Sequence, residues 1–135
     1  MSATATNSLP SLKFDANGMI PAVVQDAATK QVLMVAWMNE AAVRLTIETK
    51  KAHYYSRSRN KMWLKGEESG HVQLVKSLRT DCDKDVILLE VEQVGGAACH
   101  DGYESCFYRK LDTPGTDWQV DGRKVFDPAT VYRKK

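Results

Sequence analysis

The sequence predicts an α+β domain, predominantly antiparallel β with one main helix, and three observations carry that reading. Short runs of branched and aromatic residues alternate with turn-rich segments over most of residues 19–111, the pattern of half-buried strands joined by hairpins. Only residues 40–50 show a helical period. The 135 residues, 43% hydrophobic and 27% charged, suffice for one domain with its own core and contain no repeat or linker. No apolar stretch approaches the ~20 residues that cross a bilayer. A net charge of +2 is too balanced to argue for nucleic-acid binding on composition alone.

Residues 1–11 are small, polar and without apolar period, so a disordered N-terminal tail is expected there. The domain then spans residues 12–111. Two apolar runs at residues 19–24 and 31–37, separated by QDAATK, read as a hairpin with its turn at residues 26–30. Asn39 offers a helix N-cap, and the helix that follows has Glu early, Lys late, and Val43 and Ile47 one turn apart on a common face. His53-Tyr54-Tyr55 reads as the next strand, residues 72–79 and 86–94 as two more, and SCFYRKL at residues 105–111 as the last. Residues 112–135 form a C-terminal extension with two prolines and isolated apolar residues, expected to pack loosely through Trp118 and Phe126.

Chemistry-bearing residues concentrate in two places. The first is D-C-D-K-D. On an extended backbone Asp81, Asp83 and Asp85 share one face and Cys82 points to the other. Carboxylates suit a hard cation such as Mg²⁺. A thiolate suits Zn²⁺, and Cys82 has companions in Cys99 and Cys106, set in the polar, Gly-punctuated loop GGAACHDGYESC. Three thiolates are one short of a closed zinc site, so the fourth position falls to His100 or to water. The competing readings are a solvated acidic face and inert buried thiols. An EF-hand fits the spacing of Asp81, Asp83, Asp85 and Glu92, but its sixth position requires Gly and is Val86 here. A disulfide would leave one of the three cysteines over, and with no apolar signal segment at the start a reducing cytoplasm is the expected compartment.

The second place is SRSRNKMWLKGEESG. Arg57, Arg59 and Lys61 sit among Ser and Asn, with Trp63, Lys65 and Ser69 following. Arg forks bind phosphate oxygens bidentately, hydroxyls and Gly-exposed amides add donors, and Trp63 can stack on a base. That mixture suits a nucleotide with more than one phosphate, against the plainer reading of a solvated charged face. It is not a P-loop, because G-x-x-x-x-G-K-[ST] is missing.

Three ordered runs, HYYSRSRNKMWLKGEESGHVQ, LRTDCDKD and EQVGGAACHDGYESCFYRKL, resemble the phosphoribosyl-AMP cyclohydrolase family of histidine biosynthesis, as do the upstream GMIPAVVQD and VLMVAWMNEAA. The resemblance covers roughly residues 14–111. Tyr55 in place of a common Trp, the paired Gly95-Gly96, and Asp101 after Cys99-His100 are small departures away from the ligand positions.

The resemblance implies hydrolytic opening of the adenine ring of phosphoribosyl-AMP between N1 and C6. It also implies an intertwined homodimer in which Cys82 of one chain joins Cys99 and Cys106 of the other around zinc, and Mg²⁺ at Asp81, Asp83 and Asp85 bridging to substrate phosphate. Zinc lowers the pKa of bound water to about 7 and polarises the reacting centre. Zinc adenine deaminases attack the same carbon by that logic, but their H-x-E and P-C-x-x-C pattern is missing here. His100, next to a ligand and carrying an imidazole that can both accept and donate a proton, is the candidate general base or proton shuttle, against the reading of a hydrogen-bonded structural histidine. His71 and His53 are weaker candidates. The rival functions are a structural-zinc nucleic-acid-binding module, suggested by SRSRNK and the terminal VYRKK, and a metal-binding protein without catalysis.

Overall fold

The computed structural model describes residues 11–126. Nearly all of the expected tail, residues 1–10, and the VYRKK end lie outside the described residues. The chain is α+β, as the sequence predicts. Strands β1 (Met19–Asp26), β2 (Val32–Asn39), β5 (Gln73–Thr80) and β6 (Ile87–Gln93) form one sheet in the order β2-β1-β6-β5. Helix α1 (Glu40–Thr49) follows β2, and β3 (His53–Ser56) pairs with β4 (Lys61–Leu64). A last small hairpin joins β7 (Arg109–Leu111) to β8 (Trp118–Val120).

Alternation in β1 puts Ile20, Ala22 and Val24 on one face, all fully buried, and leaves Pro21 and Val23 on the other. Met34 and Met38 of β2, Ile87, Leu89 and Val91 of β6, Ala42 and Val43 of α1, and Tyr54 of β3 complete the core on the same side. The turn between β1 and β2 falls at residues 26–30, where the Asp26 carboxylate accepts from the amides of Ala28 and Thr29. The neighbours β1/β2 and β5/β6 run antiparallel, but β1 and β6 run parallel at the centre, with Ala22 opposite Ile87. Local sequence pattern carries no information on that pairing.

Asn39 caps α1 as expected, its Oδ1 accepting from the Ala42 amide at 2.9 Å. The expectation for the helix's far end needs correction. Helical geometry stops at Thr49 because Lys50 turns left-handed (φ 63°) and donates its amide to Thr46 O. Val43 reaches the core, whereas Ile47, one turn later, stays 44% exposed in a groove against β5. A buried polar relay ties the layers together. Tyr54 Oη donates to Gln73 Oε1, Gln73 Nε2 to Gln93 Oε1, and Gln93 Nε2 to the His71 carbonyl.

The strand expected at residues 105–111 shrinks to β7. Ser105 and Cys106 instead stitch onto β2, the Ser105 hydroxyl and Cys106 amide donating to the carbonyls of Val32 and Leu33. This irregular attachment redirects the chain. Trp118 is 60% exposed on β8 and anchors nothing within the described residues, contrary to the expected packing, while Phe126 lies edge-on against His71 at 5.3 Å.

Candidate active site

The Cys99–Cys106 loop is closed by its own backbone. Amides of Ala98 and Cys99 donate to the carbonyls of Glu104 and Tyr103, and that of Gly102 returns to Cys99 O. Gly102 is required here. Its φ is +94°, and a Cβ would come within 2.0 Å of Phe126 O. The loop sets the Cys106 thiol beside that of Cys99, close enough for one to bear on the other's ionisation. Burial first, and the neighbouring Cys99 thiol second, push the Cys106 thiol up to about 12, with Lys65 pulling the other way. An ion that binds here must displace the Cys106 proton, so the pair suits a strong thiophile such as Zn²⁺.

Beside the thiols lies the basic hairpin. Lys65, just past β4, donates from Nζ to Ala98 O at 2.6 Å, tying the hairpin to the cysteine loop. Burial holds its pKa below the usual lysine range, opposed by the two nearby cysteines. Arg59, Trp63, Lys65, Ser69 and His100 line one cleft of about 260 Å³. Arg59 and Trp63 also line a broader one of about 660 Å³ with Arg57, Tyr55 and Trp37. Of the proposed nucleotide-binding residues, five therefore face these two joined clefts, while Lys61 lies exposed at the hairpin tip and lines neither.

His100 is exposed, with Nε2 3.6 Å from the Asp101 carboxylate. Tyr108 donates to that same carboxylate. The other two histidines are structural in their surroundings. His53 Nδ1 faces the Lys51 carbonyl at 2.8 Å, and the His71 ring packs so close to Gly95 that a Cβ there would approach it to 2.5 Å.

The D-C-D-K-D segment is a turn, not an extended strand. Lys84 is left-handed at φ 62°, and the Asp85 amide donates to Asp81 Oδ1. Alternation therefore does not place these side chains, yet the turn achieves the convergence that alternation was expected to give. One carboxylate oxygen from each of Asp81, Asp83 and Asp85 lies within 4.8 Å of the others, all three residues exposed. That donor set fits a hydrated hard cation. Among the described residues it is the only group of three or more such ligands, so one chain by itself does not bring Cys82 to Cys99 and Cys106.

Trp37 is the residue that sequence reasoning passed over. The Arg57 guanidinium stacks 4.3 Å above its ring, and Trp37 lines both the Arg57 cleft and a third one, of about 320 Å³, that reaches Lys13 and Asp85. It thereby links the arginines to the aspartate turn. Its register opposite Pro21, on the face away from the core, is the signal that could have singled it out.

The chain is similar to known proteins of one family. A model of the phosphoribosyl-AMP cyclohydrolase family matches residues 34–108. Proteins carrying that name are similar along nearly the whole chain. The one from Chromobacterium violaceum is 51% identical over 98% of both sequences, and that from Nitrosospira multiformis is 53% identical over 94% of this chain and 96% of its own. The Burkholderia cenocepacia protein is 51% identical over 96% and 99% respectively.

Proposed function

Since the chain belongs to the phosphoribosyl-AMP cyclohydrolase family, we propose that it hydrolyses the N1–C6 bond of the adenine ring in phosphoribosyl-AMP, a step of histidine biosynthesis. The observation that carries this reading is the placing of the neighbouring Cys99 and Cys106 thiols beside the arginine- and tryptophan-lined cleft. Thiols so placed would hold zinc, which when bound supplies an acidified water and a Lewis acid to the ring carbon. A third thiolate is needed, and Cys82 is exposed but apart from the other two. A homodimer with Cys82 of one copy completing the pair of the other answers both facts.

The remaining groups divide the work on the substrate. Arg57 and Arg59 bind phosphate oxygens, with Lys61 adding charge at the hairpin tip. Trp63 stacks on the base and so fixes the ring's plane. Ser69 donates at the cleft wall, and Lys65 holds the hairpin against the loop that bears Cys99. His100, exposed and beside the Asp101 carboxylate, passes a proton between solvent and the reacting ring. Asp81, Asp83 and Asp85 would hold Mg²⁺, which when bound would supply positive charge for a substrate phosphate. Three metal-binding thiols imply a reducing compartment, the cytoplasm. No helix among the described residues is long and apolar enough to cross a membrane.

Metal analysis with a Mg²⁺ titration of turnover tests the assignment. Cys99→Ser is expected to lose both zinc and ring opening. Asp83→Asn should retain zinc and lose the response to Mg²⁺, because the amide keeps the shape and removes the charge. The same Mg²⁺ dependence in Asp83→Asn and wild type would reduce the aspartates to a solvated turn.

A further inference from the structure

Arg44, Arg79 and Arg123 each pair with a carboxylate, on Glu40, Glu90 and Glu104, at 2.7, 3.2 and 2.7 Å. Arg57 does not. Its guanidinium lies over the Trp37 ring, 4.3 Å from the centroid, and no carboxylate pairs with it among the described residues. An aromatic face attracts a cation without consuming a hydrogen-bond donor. The N–H edge that a carboxylate would occupy is therefore left for another oxyanion.

The two partners belong to elements of different stiffness. Trp37 is half-buried on β2, a strand of the four-stranded sheet, directly opposite Pro21. Arg57 is exposed in the turn of β3–β4, which form a separate two-stranded sheet. That turn is closed by the Tyr55 hydroxyl donating to Asn60 and by the Arg59 amide donating to Ser56 Oγ, which fixes its backbone but not the long Arg57 side chain. A loose arginine pays rotamer entropy when a ligand arrests it, whereas one already resting on a ring has lost much of that freedom beforehand. Ser56 and Ser58 line the same cleft of about 660 Å³ as Trp37 and Arg57, so an oxyanion held there meets hydroxyls beside the guanidinium.

We propose that Trp37 is a positioning residue for phosphate: it holds the Arg57 guanidinium over its ring so that the N–H edge meets a phosphate monoester of the bound nucleotide. The inference rests on the nucleotide reading above and adds to it a residue that acts only through Arg57. Phosphoribosyl-AMP carries a phosphate on each of its two ribosyl arms, and both offer the same monoester chemistry. AMP stands for one arm and ribose 5-phosphate for the other.

Trp37→Leu, Trp37→Phe and Arg57→Ala test this, and circular dichroism checks that each folds. Trp37→Leu should raise KM for phosphoribosyl-AMP about fivefold, with a smaller effect on kcat, and Trp37→Phe, which keeps a π face, should recover part of the loss. In calorimetric titrations of the full-length protein, AMP or ribose 5-phosphate, whichever stands for the arm that Arg57 holds, should weaken by the same factor. Adenosine, which has no phosphate, should bind as it does to wild type. Added to Arg57→Ala, Trp37→Leu should weaken the phosphate ligand no further, since the group through which it acts is gone. Losses that add in the double variant, an equal loss for adenosine, an Arg57→Ala that binds both phosphates like wild type, or a Trp37→Phe as impaired as Trp37→Leu each overturn the proposal. A wild type that binds these phosphates but leaves the adenine ring of phosphoribosyl-AMP closed overturns the proposed reaction alone, and the same titrations still decide the part of Trp37.

Discussion

Glu90 is held ionised on the sheet face opposite the core. Ser77 Oγ and Arg79 Nε donate to one carboxylate oxygen at 2.5 and 3.2 Å, and Lys30 Nζ to the other at 2.9 Å. The Ser77 hydroxyl first, then Lys30 and Arg79, pull its pKa down to about 2 against the effect of burial. A carboxyl lowered in the folded state adds stability that is fully present above its unfolded value, ~4.3, and is lost as pH falls toward the folded one. Glu90→Gln should therefore unfold at lower urea than wild type at pH 7, with the gap closing between pH ~4.5 and ~2. Coincident midpoints at pH 7 would mean that the exposed partners Lys30 and Arg79 contribute nothing measurable. Residue type alone singled out residues that the structure then gathers: Cys99 with Cys106, the three aspartates of one turn, and Arg57, Arg59 and Trp63 around one cleft. Trp37 was not among them, because its part depends on Arg57 and Asp85 arriving from other elements. Nor was the Lys65 tie to Ala98 O, which exists only once the hairpin and the cysteine loop have met.

At the scale of elements, α1 was readable because caps are local. Removing the Asn39 side chain leaves the Ala42 amide without its acceptor. Asn39→Ala is expected to cost about 1 kcal/mol in chemical unfolding, with zinc content unchanged, and a loss of zinc would show that α1 bears directly on the metal. The β1–β2 turn was equally legible, since Asp26 caps it through its own neighbours. Two elements misled. D-C-D-K-D has an alternating composition, but the Asp81 carboxylate captures the Asp85 amide and folds the segment into a turn. SCFYRKL reads as a strand, yet Ser105 spends its hydroxyl on β2 and breaks the pattern. In both cases a side-chain-to-backbone bond overrode the periodicity.

The whole molecule is the scale at which the divided thiolates make their sharpest claim. If zinc is shared, Cys82→Ser and Cys99→Ser are each inactive, yet a mixed dimer keeps one intact site out of two. Random exchange of equal amounts should thus restore roughly a quarter of wild-type turnover; no recovery after exchange, with mixed dimers present, would place all three ligands within one chain. The pairing of strands across the sheet was the least legible feature at any scale, because β1 lies between β2, its sequence neighbour, and β6, far along the chain. That separation has a consequence for how the chain is made. The β1–β2 hairpin can close as soon as it leaves the ribosome, but the inner edge of β1 must wait for Ile87–Gln93. Until then it presents open amides and carbonyls along an apolar strand, a template for pairing with another nascent chain. A polypeptide ending at residue 86 should pellet as aggregate at concentrations where the full chain stays dissolved, and completion of the sheet should set a folding time in the millisecond-to-second range typical of long-range strand pairing.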